Sequence, residues 1–148
     1  MTTNYHSPYQ DGVTDFTAND MNAPLSSLDT QITALSSYTI GMYFTGVPTN
    51  SQIILAHIFG TIEATFPEDL TGSKAKSQDA ATAEAVFTIN KNGGQVGTIT
   101  WSAAGTTGAF SFSSAISFAE DDVLTIVGPA SADTTLGRIS ITLKGSRN

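Results

Sequence analysis

"AEAVFTINKNGGQVGTITWSAAG", residues 83–105, decides the fold class. Two runs of β-branched and aromatic residues flank Asn92-Gly93-Gly94. Glycine and asparagine tolerate the backbone angles of a tight reversal, so this pattern is a strong short-range hairpin signal. Strand signals continue downstream. "GAFSFSSAISF" (108–118) alternates, with Phe110, Phe112, Ile116 and Phe118 on one face and Ser111, Ser113, Ala115 and Ser117 on the other. Glu120-Asp121-Asp122 turns the chain into "VLTIVGPA", and "RISITLKG" then places Ile139, Ile141 and Leu143 inward. Upstream, Tyr38-Thr39-Ile40 begins a strand and Val47-Pro48-Thr49-Asn50 is a turn. "SQIILAHIFGTIEATF" (51–66) reads as one long strand or two short ones, and its apolar 53–59 run predicts a central position covered on both faces. Residues 67–82 are poor in large apolar side chains and read as a long loop or irregular crossover. Seven to nine strands at short spacing predict a mainly-β fold, an antiparallel β-sandwich or jelly roll.

The totals agree. The 148 residues suffice for one domain with a core and a short appendage. Charged residues are 13 %, about half the ~25 % usual in soluble domains, and Thr, Ser, Gly and Ala replace them. The net charge of −7 and six scattered basic residues argue against nucleic-acid binding and against an anionic membrane surface. Without cysteine, disulfides and thiolate metal sites are excluded. The first twelve residues show no basic or apolar region of a secretory signal, and no run is long enough to span a bilayer.

One helical period stands outside the β pattern. Leu25, Leu28, Ile32 and Leu35 are spaced three, four and three apart, a heptad seam with Asp29 the one charge in residues 24–37. Asn19, Asp20 and Asn22 are good N-caps, Thr17 and Asp20 match a carboxylate capping box, and Pro24 fits a first turn. The helix is therefore expected over 23–37. So short a helix is marginal in water unless it packs on something, and the narrow seam suits copies of itself better than a sheet. Leu25, Leu28, Ile32 and Leu35 are accordingly the expected oligomer interface, without deciding dimer against trimer. Residues 1–22 read as an extended arm, whose isolated Tyr5, Tyr9 and Phe16 are candidate docking groups. The remainder, 38–148, is the expected β-sandwich head.

Signs of chemistry are sparse. His6 lies in the arm, and His57 within an apolar strand, where a satisfied core or interface histidine is expected. Glu120-Asp121-Asp122 lacks EF-hand spacing and a second acidic cluster nearby, so it reads as a solvated turn rather than a calcium site. Glu68-Asp69 reads the same way. No G-x-S-x-G elbow or phosphate-binding glycine loop is present, and nothing in the sequence shows two carboxylates converging in a cleft for glycoside hydrolysis. Trp101 is expected in the core or a subunit interface rather than stacked on a sugar. No catalytic residue, metal ligand or cofactor is expected, and the protein is not expected to be an enzyme.

The residues also carry a family likeness. "SPYQDGVTDFTANDMNAPLSSLDTQI" (7–32) resembles N-terminal segments of tailed-bacteriophage fibre proteins. "FTINKNGGQVGTITW" and "ISFAEDDVLTIVGPASADTTLGRISITLKGSR" resemble a small β-domain that recurs in phage tail- and head-fibre proteins. Residues 40–82 match no part of these. The resemblance implies a non-enzymatic virion protein, often a homotrimer, whose N-terminal arm is held by capsid, portal, neck or tail proteins. The short chain points to a head fibre, decoration protein or small appendage, assembled in the host cytoplasm into the virion. The alternative is an adhesin head that binds host-surface glycan through loops such as 67–82 or 103–108.

Overall fold

The computed structural model describes residues 18–148, with the side chains of 18–24, 33 and 34 left aside. The arm residues Tyr5, Tyr9 and Phe16, and His6, lie outside the described residues. The chain divides into two units between Leu35 and Ser36.

The first unit contains α1, Ala18–Leu35. This helix begins five residues before the expected 23, so the expected arm (1–22) and helix overlap at 18–22. Pro24 consequently stands inside the helix rather than in its first turn. It has no N–H to offer the Asp20 carbonyl, so one rung of the helical ladder is missing there.

The second unit is a mainly-β, antiparallel sandwich of ten strands. They are β1 (Ser37–Phe44), β2 (Ile53–Ile58), β3 (Ala64–Phe66), β4 (Lys74–Asp79) and β5 (Ala85–Lys91). The series continues with β6 (Gly94–Trp101), β7 (Thr107–Phe112), β8 (Ile116–Phe118), β9 (Val123–Val127) and β10 (Gly137–Arg147). The order is β2-β9-β5-β6-β7-β4-β10-β3-β8, with β1 on the other edge of β10. Between β7 and β4 the ladder is only Ala75↔Gly108 and Lys76↔Thr107, and across this narrow link the sheet folds over on itself. Inward side chains of both halves then share one core. Phe87, Ile89, Ile99, Trp101, Leu124 and Ile126 come from one half, and Ile139, Ile141 and Leu143 from β10 in the other.

The hairpin forms where expected. Asn92 (φ 50°) and Gly93 (φ 83°) are both left-handed, which matches the twist of the β5 and β6 strands they join. The alternation of β10 is also as expected, with Ile139, Ile141 and Leu143 buried. Trp101 is fully buried, its ring edge-on to Phe87 at 5.0 Å. The 51–66 stretch is two strands, β2 and β3.

Two expectations fail. Among the described residues β2 is an edge strand paired with β9 alone, not a central strand covered on both faces. The register shifts between Ile53 and Leu55, leaving Ile54 as an extra residue that breaks the alternation of inward and outward positions. Ile53 and Ile58 face outward and are 56 % and 66 % exposed. Residues 67–82 are not a loop throughout. A short 3-10 turn, Glu68–Leu70, leads into β4, whose buried inward residues are Ala75 and Ser77. Small side chains are required there. Gly108 pairs with Ala75, and a Cβ on Gly108 would lie 2.9 Å from both the Ala75 Cβ and Trp101 Cζ2. The Trp101 ring, reaching from β6 across Gly108, crowds the β4–β7 ladder at Ala75.

Candidate functional site

α1 carries all four residues of the expected interface. Leu25, Leu28, Ile32 and Leu35 are 61, 53, 63 and 72 % exposed. At ~100° per residue they fall within an arc of about 80°. A helix lying on a globular core shows a stripe of at least ~100°. Ser26, Ser27, Thr30 and Gln31 occupy the opposite side, and the Thr30 hydroxyl donates to the Ser26 carbonyl at 2.9 Å. The helix thus presents a narrow apolar seam backed by small polar groups.

Three ionisable groups of the head, His57, Asp122 and Asp133, are engaged by hydrogen bonds within the fold. His57 and the Tyr38 hydroxyl share a hydrogen bond of 3.0 Å at Nε2, and the Phe59 ring lies edge-on to the imidazole at 4.9 Å. This is the satisfied histidine expected. Asp122 is the organising residue of the acidic turn. Its carboxylate accepts from Lys91 Nζ (2.8 Å), the Ala119 N–H (2.8 Å) and Asn92 Nδ2 (2.6 Å). Those donors, Lys91 first, pull its pKa down to about 2. Asn92 Oδ1 in turn accepts from the Val123 N–H, tying the hairpin turn to the start of β9. Among the described residues, no three His, Asp or Glu side chains converge to hold a metal ion.

Asp133 was not singled out by sequence reasoning. One of its oxygens accepts from the N–H groups of Thr82 and Ala83, at 2.8 and 3.0 Å. The other accepts from the Thr135 hydroxyl and from the N–H groups of Thr135 and Leu136. The Thr135 hydroxyl, ahead of the backbone donors, holds its pKa well below the usual carboxylate range. The local signal was Asp133-Thr134-Thr135, a loop carboxylate two residues before a hydroxyl. The Thr82–Ala83 half of the contact has no sequence signature. Asp133 also lines an open groove of about 620 Å³ with Val47, Pro48 and Asn50, but both its oxygens are already engaged.

The two segments named as candidate ligand loops brace each other. Ser77 donates to the Thr106 carbonyl (2.9 Å), Ala81 to Gly105 (3.2 Å) and Ala104 to Ala81 (2.7 Å).

Together these features define a β-sandwich head preceded by a helix with an exposed apolar seam. Comparison with protein-family models, curated proteins and solved structures finds no match to this chain.

Proposed function

We propose that this chain is a structural subunit of a bacteriophage virion: a short trimeric fibre or decoration protein on capsid, neck or tail, held by its N-terminal arm. The observation that carries the proposal is the exposed seam Leu25/Leu28/Ile32/Leu35. The likeness of residues 7–32 and of the C-terminal strands to phage fibre segments supplies the class of particle.

Energetics favour assembly without making the helix sufficient. Burying a Leu or Ile side chain from full exposure stabilises by ~1.5–3 kcal/mol. Scaled by their exposure, the four seam residues contribute about 4–7 kcal/mol per chain. Association costs ~4–15 kcal/mol before any contact is counted. A seam of two heptads therefore requires help from the rest of the chain.

Multi-angle light scattering tests the proposal. The expected particle is about 46 kDa, three copies of the 15.4 kDa chain. Leu28→Asp with Ile32→Asp is expected to shift it toward a single copy while the β signal in circular dichroism persists. A monomeric wild-type chain at micromolar concentration overturns the proposal. Virion placement is tested by a cryo-EM map of the particle, which should show residues 1–20 held by another virion protein.

A further inference from the structure

The six basic residues of the chain all lie in the head, against nine acidic ones in residues 36–148. Lys91 is paired with Asp122 and Arg138 with Asp79. Three of the other four stand on one surface. Lys74 and Lys76 occupy outward positions of β4, and Lys144 an outward position of β10 beside it. Strand register orders that face into rows. Tyr43, Ser140, Lys76 and Thr107 form one row across β1, β10, β4 and β7. Gly41, Thr142 and Lys74 form the next, and Thr39 and Lys144 the third. Lys74, Lys76 and Lys144 form no ion pair with any described residue. Asp79 is the one carboxylate on β1, β4 and β10, and Arg138 Nε and Nη2 occupy it at 2.8 and 2.5 Å. Glu68 lies at the rim, in the turn before β4.

A surface that serves solubility alone intersperses its two signs. Here half of the cations are gathered without counter-charges. Lys74 lies about 7 Å from Lys76 along β4 and about 8 Å from Lys144 across to β10, measured between Cα atoms. Those separations are comparable to the ~8 Å Debye length of physiological salt, so a ligand meets the three charges as one field. Lys76 Nζ donates to the Thr107 hydroxyl at 2.9 Å and keeps its other N–H donors. The Lys144 stem leans toward Gly72, with Cδ 3.2 Å from where a Cβ on that glycine would stand. An open groove of about 350 Å³ borders Lys144, with Thr65, Thr71 and Ser146 along it. We infer that the outer face of β1-β10-β4 binds an acidic polysaccharide.

The groups between the lysines select that occupant. Thr39, Thr107, Ser140 and Thr142 are exposed, and their hydroxyls both donate and accept, as sugar hydroxyls do. Tyr43 is 52 % exposed at one corner, an aromatic ring with a polar tip that suits the apolar face and hydroxyl edge of a sugar ring. A Cβ on Gly41 would meet nothing within 4 Å, so the surface beside Thr142 is open. A nucleic-acid strand carries a charge every ~3.4 Å, about twice the density of lysines ~7 Å apart, and the acid excess of the head repels the surplus. A polysaccharide with one carboxylate per sugar or per disaccharide is charged more sparsely and fills the intervals with hydroxyls. The inference concerns the head alone and does not depend on the helix seam. It puts the ligand on a sheet face, away from the mutually braced 67–82 and 103–108 segments. In an oligomer, several copies of a weak site would bind one long polymer together.

Isothermal titration calorimetry of the full chain with alginate and hyaluronan octasaccharides tests the inference. At least one is expected to bind at low salt and to weaken roughly tenfold at ~0.3 M salt. Lys74→Gln with Lys144→Gln is expected to weaken binding roughly tenfold or more. Arg147→Gln, which removes an exposed cation outside the three rows, should change it by less than about twofold. All of these side chains are exposed, so the melting behaviour of the head should be retained. Tyr43→Ala should weaken the saccharide several-fold and leave the binding of polyglutamate unchanged. Failure of both saccharides to bind at millimolar concentration overturns the inference. Polyglutamate that binds more tightly than either saccharide gives the face to an acidic protein and also overturns it. A loss in Arg147→Gln equal to that in the double variant reduces the effect to net charge and overturns the face. An oligomer verified by scattering that binds neither saccharide leaves the seam reading standing. A monomeric wild-type chain that binds supports the face and removes the seam.

Discussion

Gly97→Ala adds one methyl group at the most crowded glycine of the head. Gly97 on β6 stands directly opposite Phe112 on β7. A Cβ built on Gly97 would lie 1.8 Å from Phe112 Cδ1, 2.0 Å from Cε1 and 2.7 Å from the Ser111 carbonyl oxygen. The ring therefore lies flat on the bare glycine backbone, and it is itself 2 % exposed. To restore van der Waals separation the ring must retreat by well over 1 Å, or the two strands must part. Over-packing of this kind costs ~1–3 kcal/mol, and an off-rotamer phenyl adds ~0.5–1.5 kcal/mol. A loss of about 2–4 kcal/mol is expected, which for a domain of this size lowers the melting temperature by roughly 6–16 °C. The assay is urea unfolding followed by the fluorescence of Trp101, the only tryptophan, which is fully buried beside Phe87. The midpoint should fall with the slope unchanged. The Gly97→Ala, Phe112→Leu pair supplies the control. Leucine lacks the ring edge, so the pair should lose less than the sum of the two single losses, by about 1–2 kcal/mol. A Gly97→Ala protein within ~0.5 kcal/mol of wild type, or strict additivity in the pair, refutes this account of the β6–β7 contact.

Three other outcomes are expected. Asp122 and Asp133 are held ionised by their donors, so their folded pKa values lie below the unfolded ones; their stabilisation is present above the ordinary carboxylate value of 3.8 and declines below it, that of Asp122 as pH falls through about 2 and that of Asp133 at still lower pH. Stability measured across that interval should decline, and Asp122→Asn should flatten part of the decline. Gly93→Ala places a Cβ at φ 83° in the β5–β6 turn; a loss of about 1 kcal/mol by thermal unfolding is expected, from strain alone, because no atom lies within 4 Å of the added group. Pro24→Ala restores a donor inside α1, so far-ultraviolet circular dichroism should show more helix and scattering a tighter oligomer; unchanged helicity would contradict an interior position for Pro24.

The parts of this protein that were readable in one dimension are those whose causes are local. The Asn92-Gly93 reversal depends on two residues that tolerate positive φ. The inward set Ile139/Ile141/Leu143 depends on a period of two, and the seam Leu25/Leu28/Ile32/Leu35 on a heptad. Glu120-Asp121-Asp122 was identifiable as a turn, yet not as the clamp that joins Asn92 and Lys91 to β9. Other features were decided by which strands became neighbours. β4 was missed because "KAKSQD" buries only Ala75 and Ser77, and the close packing beside Ala75 is set by Trp101 and Gly108, more than 20 positions downstream. β2 was placed at the centre because apolar density looks the same for a covered strand and for an edge strand with a register shift. The row of Ile53, Val127, Thr88, Thr98 and Ser111 has the same origin: local hairpins join its last three residues, but Val127 meets Ile53 and Thr88 only because β9 returns from far along the chain to lie between β2 and β5. Periodicity along the chain records which way each side chain points; which other side chain it then meets is settled by burial, when the sheet folds over its own aromatic core.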